Sequence, residues 1–204
     1  MDTALWGVDI MSTLRHNLRC VLQNRRNSLT AQSIEHCQQL ILMTLLAQPE
    51  WQTAQYIGVY AAYGREVPTQ RLINHLWQMR KHVYLPVVQD DKKLHFAHYQ
   101  ADTRLMVNRY GIDEPANAPL LPAAQLDVVI VPLLGFDRHC QRLGSGMGCY
   151  DRTFAFLNNV NRPAQPLLMG LAYALQHWDN LPVADWDVGL NKVITENTLY
   201  TRQY

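Results

Sequence analysis

Apolar residues along this chain follow first one period and then another, and the changes of period mark out its elements. Within residues 9–26, Ile10, Leu14, Leu18, Val21 and Leu22 recur at helical spacing, with Arg15, Arg19, Arg25 and Arg26 interleaved. Thr30 is suited to cap a second helix over 31–47, and Pro49 marks its far end. The run 56–62, Tyr-Ile-Gly-Val-Tyr-Ala-Ala, is β-branched and aromatic and reads as a buried strand. A loop at 63–66 leads to Thr69, which caps a helix running to about residue 80. Strands are expected over 82–88 and 94–99. Residues 101–126 are rich in Asn, Pro and Ala and are expected to cross the surface, with a helical turn near 103–107. The strongest strand signal is 127–134, apolar from Val128 onward, as a central parallel strand covered on both faces should be. A helix over about 150–158 follows, then strands over 167–173 and 192–195.

Strands alternating with helices imply a three-layer α/β domain with a mostly parallel central sheet and helices on both faces. No linker, repeat or low-complexity segment interrupts the 204 residues, so 1–204 is expected to form a single domain. Such sheets bind ligands at the carboxyl ends of their strands. The loops after Ala62 and after Phe136 therefore fall at the expected site.

Composition narrows the partners. Eighteen Lys and Arg against seventeen Asp and Glu give a formal charge of +1, which argues against a nucleic-acid partner. No basic stretch precedes an apolar run as in a secretory signal. The longest apolar run, 40–47, is too short to cross a bilayer and is expected to be a buried helix face. A cytoplasmic protein without membrane contact is the expectation. Cys20, Cys37, Cys140 and Cys149 show no metal-ligand spacing, and the histidines form no HExxH cluster, so the cysteines read as free thiols.

The chemistry concentrates at residues 131–152, VPLLGFDRHCQRLGSGMGCYDR. A buried strand enters a loop with glycines at 144, 146 and 148, and a helix follows. Alternating glycines let backbone N–H groups approach an anion. Arg142 adds a planar fork of donors suited to phosphate oxygens. Asp151 stands where a carboxylate could hold Mg²⁺, the usual companion of nucleotide phosphates. The loop is neither a Walker A motif, which needs a following Lys, nor a dinucleotide fingerprint. Taken alone, the glycines are equally consistent with a tight turn.

The longer pattern is more particular. Pro132, then Phe136-Asp137, then Arg142-Leu-Gly-x-Gly-x-Gly-x-Tyr-Asp151 resembles the 5-formyltetrahydrofolate cyclo-ligase family, also called methenyltetrahydrofolate synthetases. The resemblance extends over nearly the whole chain. It includes Arg15, Leu18-Arg19, Arg26 and Leu29-Thr30 near the start, and the Glu66-x-x-Thr69 step. It continues through Tyr110-Gly-Ile-Asp-Glu-Pro115, read as structural, to Gln176, Leu181-Pro182, Trp186-Asp187 and Val193-Ile-Thr195. Cys140 stands where many members have glycine and Cys149 where many have an aromatic residue. Ser145 and Met147 occupy variable loop places, and Arg15 replaces the usual lysine.

The resemblance implies an ATP- and Mg²⁺-dependent enzyme that cyclises 5-formyltetrahydrofolate to 5,10-methenyltetrahydrofolate, releasing ADP and phosphate. It implies ATP-binding roles for Arg15, Arg19, Arg142, Leu143, Gly144, Ser145, Gly146, Met147, Gly148, Cys149 and Tyr150, with Arg142 catalytic. It assigns the folate to Glu66 and to Ser145, Gly146, Met147, Gly148 and Cys149, and Mg²⁺ to Asp151 and Asp187. No nucleophilic residue is expected. Partners would be the two small-molecule substrates, with the protein a monomer or weak homodimer. Two rivals remain open on these residues: a sugar-phosphate isomerase or transferase on a similar scaffold, and a catalytically silent nucleotide- or folate-binding module.

Overall fold

Helix α1 (Thr3–Asn27) and helix α2 (Ala31–Leu46) are separated by a break at Thr30, whose hydroxyl oxygen accepts the Ser33 N–H at 3.1 Å. This cap satisfies a helix-end donor that no carbonyl can reach. The structure, a computed structural model, describes residues 3–159 and 165–203. After α2 come the single turn α3 (Glu50–Thr53), strand β1 (Tyr56–Gly58) and α4 (Gln70–Gln78). Next are β2 (His82–Val88), β3 (Leu94–His98), β4 (Leu105–Val107), β5 (Asp113–Pro115) and β6 (Leu120–Leu121). Then follow β7 (Val128–Val131), β8 (Gly135–Phe136), β9 (Arg142–Leu143) and α5 (Cys149–Phe154). The chain finishes with β10 (Leu167–Leu171), β11 (Lys192–Ile194) and β12 (Leu199–Thr201).

Eight strands form one sheet in the order β12-β11-β10-β7-β1-β2-β3-β6. The pairings from β11 through β2 are parallel, while β12, β3 and β6 add antiparallel edges. Strand β7 lies at the centre and is buried throughout. Its Val128 and Ile130 enter a core with Ile41 and Leu45 of α2 and Leu72 and Leu76 of α4. Val129 and Val131 point the other way, into a core with Phe96, Phe154 and Leu168. Alternate residues of one apolar strand thus serve two helical layers, which is why its sequence carries no polar face. Each fully buried aliphatic side chain stabilises the fold by about 1.5–3 kcal/mol.

A third, smaller core pins α1. Leu18 and Leu22 pack with Leu134, Leu143 and Leu181 near the strand ends. Ile10 and Leu14, on the preceding turns, stay exposed. The apolar spacing that predicts this helix is therefore buried only in its second half.

Several expectations need correction. Residues 103–107 do not form a helical turn; Leu105–Val107 pairs antiparallel with Asp113–Pro115. The cause is local: the Asn108 side-chain oxygen accepts the N–H groups of Tyr110 and Ile112, at 2.8 and 3.1 Å, and folds a hairpin turn. The edge strands β6 and β12 were not expected. The apolar run at 40–47 does supply a buried helix face, through Ile41 and Leu45, while Met43 on the other side is exposed. Helix 150–158 gives way to a 3₁₀ turn at Ala155–Asn158. Strand β1, at 56–58, is shorter than 56–62, although the Val59 N–H still bonds Tyr84 O at 2.8 Å.

Gly170 in β10 shows how tightly the central layers fit. A methyl group there would lie 2.6 Å from both Leu133 Cδ2 and Leu190 Cδ1. Gly170→Ala is expected to destabilise the protein by about 1–3 kcal/mol, measured as a shift in the urea unfolding midpoint.

Candidate active site

The carboxyl ends of β1, β2 and β7 open into a cavity of about 1300 Å³, with α1 along one side and the glycine loop along another. A site for one small molecule usually encloses roughly 300–1,000 Å³, so this space can hold two. The hairpin β4–β5 borders it through Asn108, Ile112 and Glu114, and residues 184–187 close another edge.

The loop after β1 is braced from within. Tyr60, fully buried, donates its hydroxyl to Val67 O at 2.7 Å, and Thr69 Oγ1 donates to Tyr60 O at 2.8 Å. Thr69 occupies the cap position of α4, yet its hydroxyl makes no capping bond. The buried Tyr60 carbonyl has the stronger claim, since leaving it unpaired would cost about 1–3 kcal/mol. Tyr173 Oη donates to Glu66 O at 3.3 Å. These bonds hold Glu66 at the cavity wall, where its Oε2 accepts the Tyr63 N–H at 3.0 Å and its Oε1 lies 3.8 Å from Arg26 Nη1. Burial pushes the Glu66 carboxyl above the usual glutamate range, opposed by the Tyr63 N–H and by Arg26.

Arg142 leaves β9 pointing toward α5. Its Nη2 donates to Asp151 Oδ1 at 2.7 Å, and its guanidinium lies 5.7 Å from the Tyr150 ring centre. Asp151 Oδ1 also accepts the Val188 N–H at 3.1 Å. One residue before Val188, Asp187 forms a two-pronged pair with Arg15, at 2.6 and 3.1 Å, and the Ala184 N–H adds a third bond at 2.9 Å. Arg19 Nε donates to Gly144 O at 3.0 Å, tying α1 to the loop. Burial first, then the neighbouring Arg15, lowers the Arg19 pKa from its ordinary value.

The loop itself needs glycine at two of its places. Gly146 and Gly148 have φ of +115° and +69°, values that side-chain-bearing residues rarely adopt. A β-carbon on Gly146 would also sit 3.6 Å from the Arg19 guanidinium carbon. Upstream, Asp137 is buried and its Oδ1 accepts the N–H groups of His139 and Gln141, at 2.9 and 3.0 Å. Within that knot Cys140 has φ +58°, a left-handed conformation that side-chain-bearing residues rarely adopt.

Of the residues singled out from the sequence, Arg15, Arg19, Glu66, Arg142, Asp151 and Asp187 all border this one cavity. So do Gly144, Ser145, Gly146, Met147, Gly148, Cys149 and Tyr150. Leu143 does not; its side chain is buried under α1 with Leu18 and Leu22. Cys149 is also mostly buried, and burial raises its thiol pKa. A thiol in that state is a poor nucleophile. Sequence reasoning missed Arg26 and Glu114 as cavity residues. Glu114 Oε1 accepts the Val88 N–H and an Asn108 side-chain N–H, at 2.9 and 2.8 Å. Arg26 shares the helical face of Arg15 and Arg19, and that periodicity was the available signal.

Among the described residues no group of three or more His, Cys, Asp and Glu gathers as a metal cage. Mg²⁺ with a nucleotide, however, usually takes only one or two carboxylates, the phosphates and water completing its shell. Asp151 and Asp187 border the same cavity as the glycine loop, so the donor set fits a phosphate-bound Mg²⁺.

The model of the 5-formyltetrahydrofolate cyclo-ligase family matches residues 11–196. The chain belongs to this family. A 5-formyltetrahydrofolate cyclo-ligase of Haemophilus influenzae is 37% identical over 184 residues, covering 88% of this chain and 96% of the relative. One from Escherichia coli K12 is 35% identical, covering 88% and 99%. Among solved structures, the 5,10-methenyltetrahydrofolate synthetase of Aquifex aeolicus superposes with a TM-score of 0.80 at 25% identity, covering 94% of each chain. The one from Mycoplasma pneumoniae gives 0.69 at 26% identity, covering 89% and 98%. The cyclo-ligase family thus shares both the sequence pattern and the mostly parallel sheet of this chain.

Because the Arg142 side chain is 4% exposed and that of Asp151 18%, removing one partner strands the other. Asp151→Ala is expected to lower the stability of the ligand-free protein by about 3 kcal/mol, read from denaturant unfolding.

Proposed function

We propose that this protein converts 5-formyltetrahydrofolate to 5,10-methenyltetrahydrofolate at the expense of ATP, in the cavity between α1 and the glycine loop. The observation that carries the proposal is the meeting of three groups of residues in one space large enough for both substrates. These are the α1 arginines, Glu66 and the loop 142–151, which lie far apart in sequence and which only this reading requires together. In our reading it works in the cytoplasm, as a monomer or weak homodimer. Among the described residues no helix is long and apolar enough to cross a membrane.

The reaction needs placement and charge neutralisation more than a protein nucleophile. The formyl oxygen attacks the terminal phosphorus of ATP and ADP departs, leaving a phosphorylated imidate-like carbon. N10 then attacks that carbon and loses its proton, the carbon–oxygen bond breaks, and phosphate leaves with the oxygen. Arg15, Arg19 and Arg142 are the cations placed to neutralise phosphate oxygens, and the 144–148 amides add donors. Mg²⁺, held by Asp151 and Asp187, would supply further neutralisation of the phosphate charge. Glu66 offers carboxylate oxygens to the N–H groups on the pterin edge.

The arginines and aspartates of the site are paired to one another without ligand. Phosphate oxygens would replace the aspartates as partners of the arginines, freeing carboxylate oxygens for the cation. Binding by exchange avoids ever leaving a buried charge alone, a state that costs several kcal/mol.

Mixing the protein with 5-formyltetrahydrofolate, Mg²⁺ and ATP should generate the ultraviolet absorbance of the methenyl product; folded protein that gives none refutes the enzyme assignment. Arg142→Ala removes a charged hydrogen-bond donor worth about 1.5–3 kcal/mol, so kcat/KM for ATP should fall roughly 10- to 100-fold. Full activity in that variant would remove Arg142 from the nucleotide site. Glu66 accepts pterin N–H groups as a carboxylate, and its raised pKa means that acidification protonates it sooner than an exposed glutamate. The KM for folate should therefore climb as pH falls, starting above the usual value of about 4.3, and this dependence should vanish in Glu66→Gln.

A further inference from the structure

Arg26 is the least explained charge in the molecule. Only 8% exposed, it borders the cavity with its Nε buried and without a hydrogen-bond partner. Its Nη2 donates to Gln23 at 3.2 Å, and its pairing with Glu66, at 3.8 Å, is too long for a hydrogen bond. A buried guanidinium so loosely partnered carries a desolvation cost that its protein contacts do not repay. Its place explains the cost. Arg15, Arg19 and Arg26 run along one face of α1, meeting Asp187, Gly144 and Glu66 in turn. The first two meet the residues assigned to the nucleotide, whereas Arg26 lies beside the carboxylate assigned to the pterin.

We infer that Arg26 and Glu66 together read the 2-amino-4-oxo edge of the pteridine, Arg26 donating to the C4 carbonyl oxygen while Glu66 accepts from the ring N3–H and the 2-amino group. That edge presents, in order, one acceptor and two donors. A guanidinium next to a carboxylate presents the complementary order, one donor group and two acceptor oxygens. At 3.8 Å the two side chains share no hydrogen bond that the ring would have to displace, and they stay paired beside it. The C4 oxygen adjoins N5, the atom that bears the formyl group, so the same contact orients the reacting carbon. Arg26 is thereby a specificity-determining residue for 4-oxopteridines. This inference rests on the folate reading given above and adds the residue that chooses the substituent at C4.

The test compares two ligands by calorimetry: 5-formyltetrahydrofolate and its 4-amino-4-deoxy counterpart, in which a donor replaces the acceptor at C4 and N3 carries no hydrogen, the latter a loss at Glu66 common to wild type and variants. The wild type should prefer the 4-oxo compound. Arg26→Met, and Arg26→Lys as a variant that keeps the charge but loses the planar fork, should each cut that preference at least tenfold. Their dissociation constants for ATP should stay within about twofold, and thermal melts should show both variants folded at the assay temperature. If Arg26→Met does not fold, the Lys variant alone decides the outcome. A folded variant that keeps the wild-type preference overturns the role of Arg26, as does one in which ATP affinity falls instead. If the wild type binds neither folate yet binds ATP, the folate reading itself fails, and the role of Arg26 with it.

Discussion

Positive charge that must sit in a largely enclosed space, and must not sit there alone, governs the architecture around this site. A guanidinium taken out of water without a counter-charge costs more than a small domain can spare. Here Arg15 is met by Asp187, Arg142 by Asp151, and Arg26 more loosely by Glu66. Two of these pairings join elements distant in sequence, α1 to the 184–187 segment and α1 to the loop after β1, while the third ties β9 to the nearby α5. The charges that would receive substrate therefore also fasten the walls that enclose it.

Hydrogen bonds between side chains and the backbone supply the rigidity that these pairs need. The Tyr60, Thr69 and Tyr173 hydroxyls hold the Glu66 loop, and Asp137 knots the β8–β9 turn from which Arg142 departs. Beneath them, β7 is gripped on both faces by apolar layers. Rigidity ends at the glycine loop, where Ser145 and Gly146 are exposed. Its carbonyls meet arginine side chains: Gly144 O accepts from Arg19 and Met147 O from Arg152.

Much of this was legible in the residues, and the reasons differ from place to place. β7 could be read because burial on both faces leaves an unbroken apolar run. The 142–151 stretch could be read because its charges and glycines are adjacent in the chain. The β4–β5 hairpin could not, since it depends on one asparagine folding back on two amides and on pairing across a turn. Thr69 has the residue type of a cap, but a buried carbonyl nine positions earlier takes its hydroxyl. Leu143 belongs to the motif by position and to the core by contact. Arg26 was visible as part of a helical stripe, while its meaning came from a glutamate forty positions away. Periodicity and local motif travel with the sequence; the choice among competing partners is made by the folded neighbourhood.

The row of arginines on α1 turns the helix into a measuring rod. From Arg15 to Arg26 is roughly 16 Å at about 1.5 Å per residue, so the span between the two ends of the cavity that these arginines border is written in whole residues. Inserting or deleting one residue between 19 and 26 would swing one set of guanidiniums about 100° away from the other. Loops in this chain can lengthen by detouring through solvent; this segment has no such freedom. Evolution can alter its residue types but not its length without losing the alignment of the two halves of the cavity.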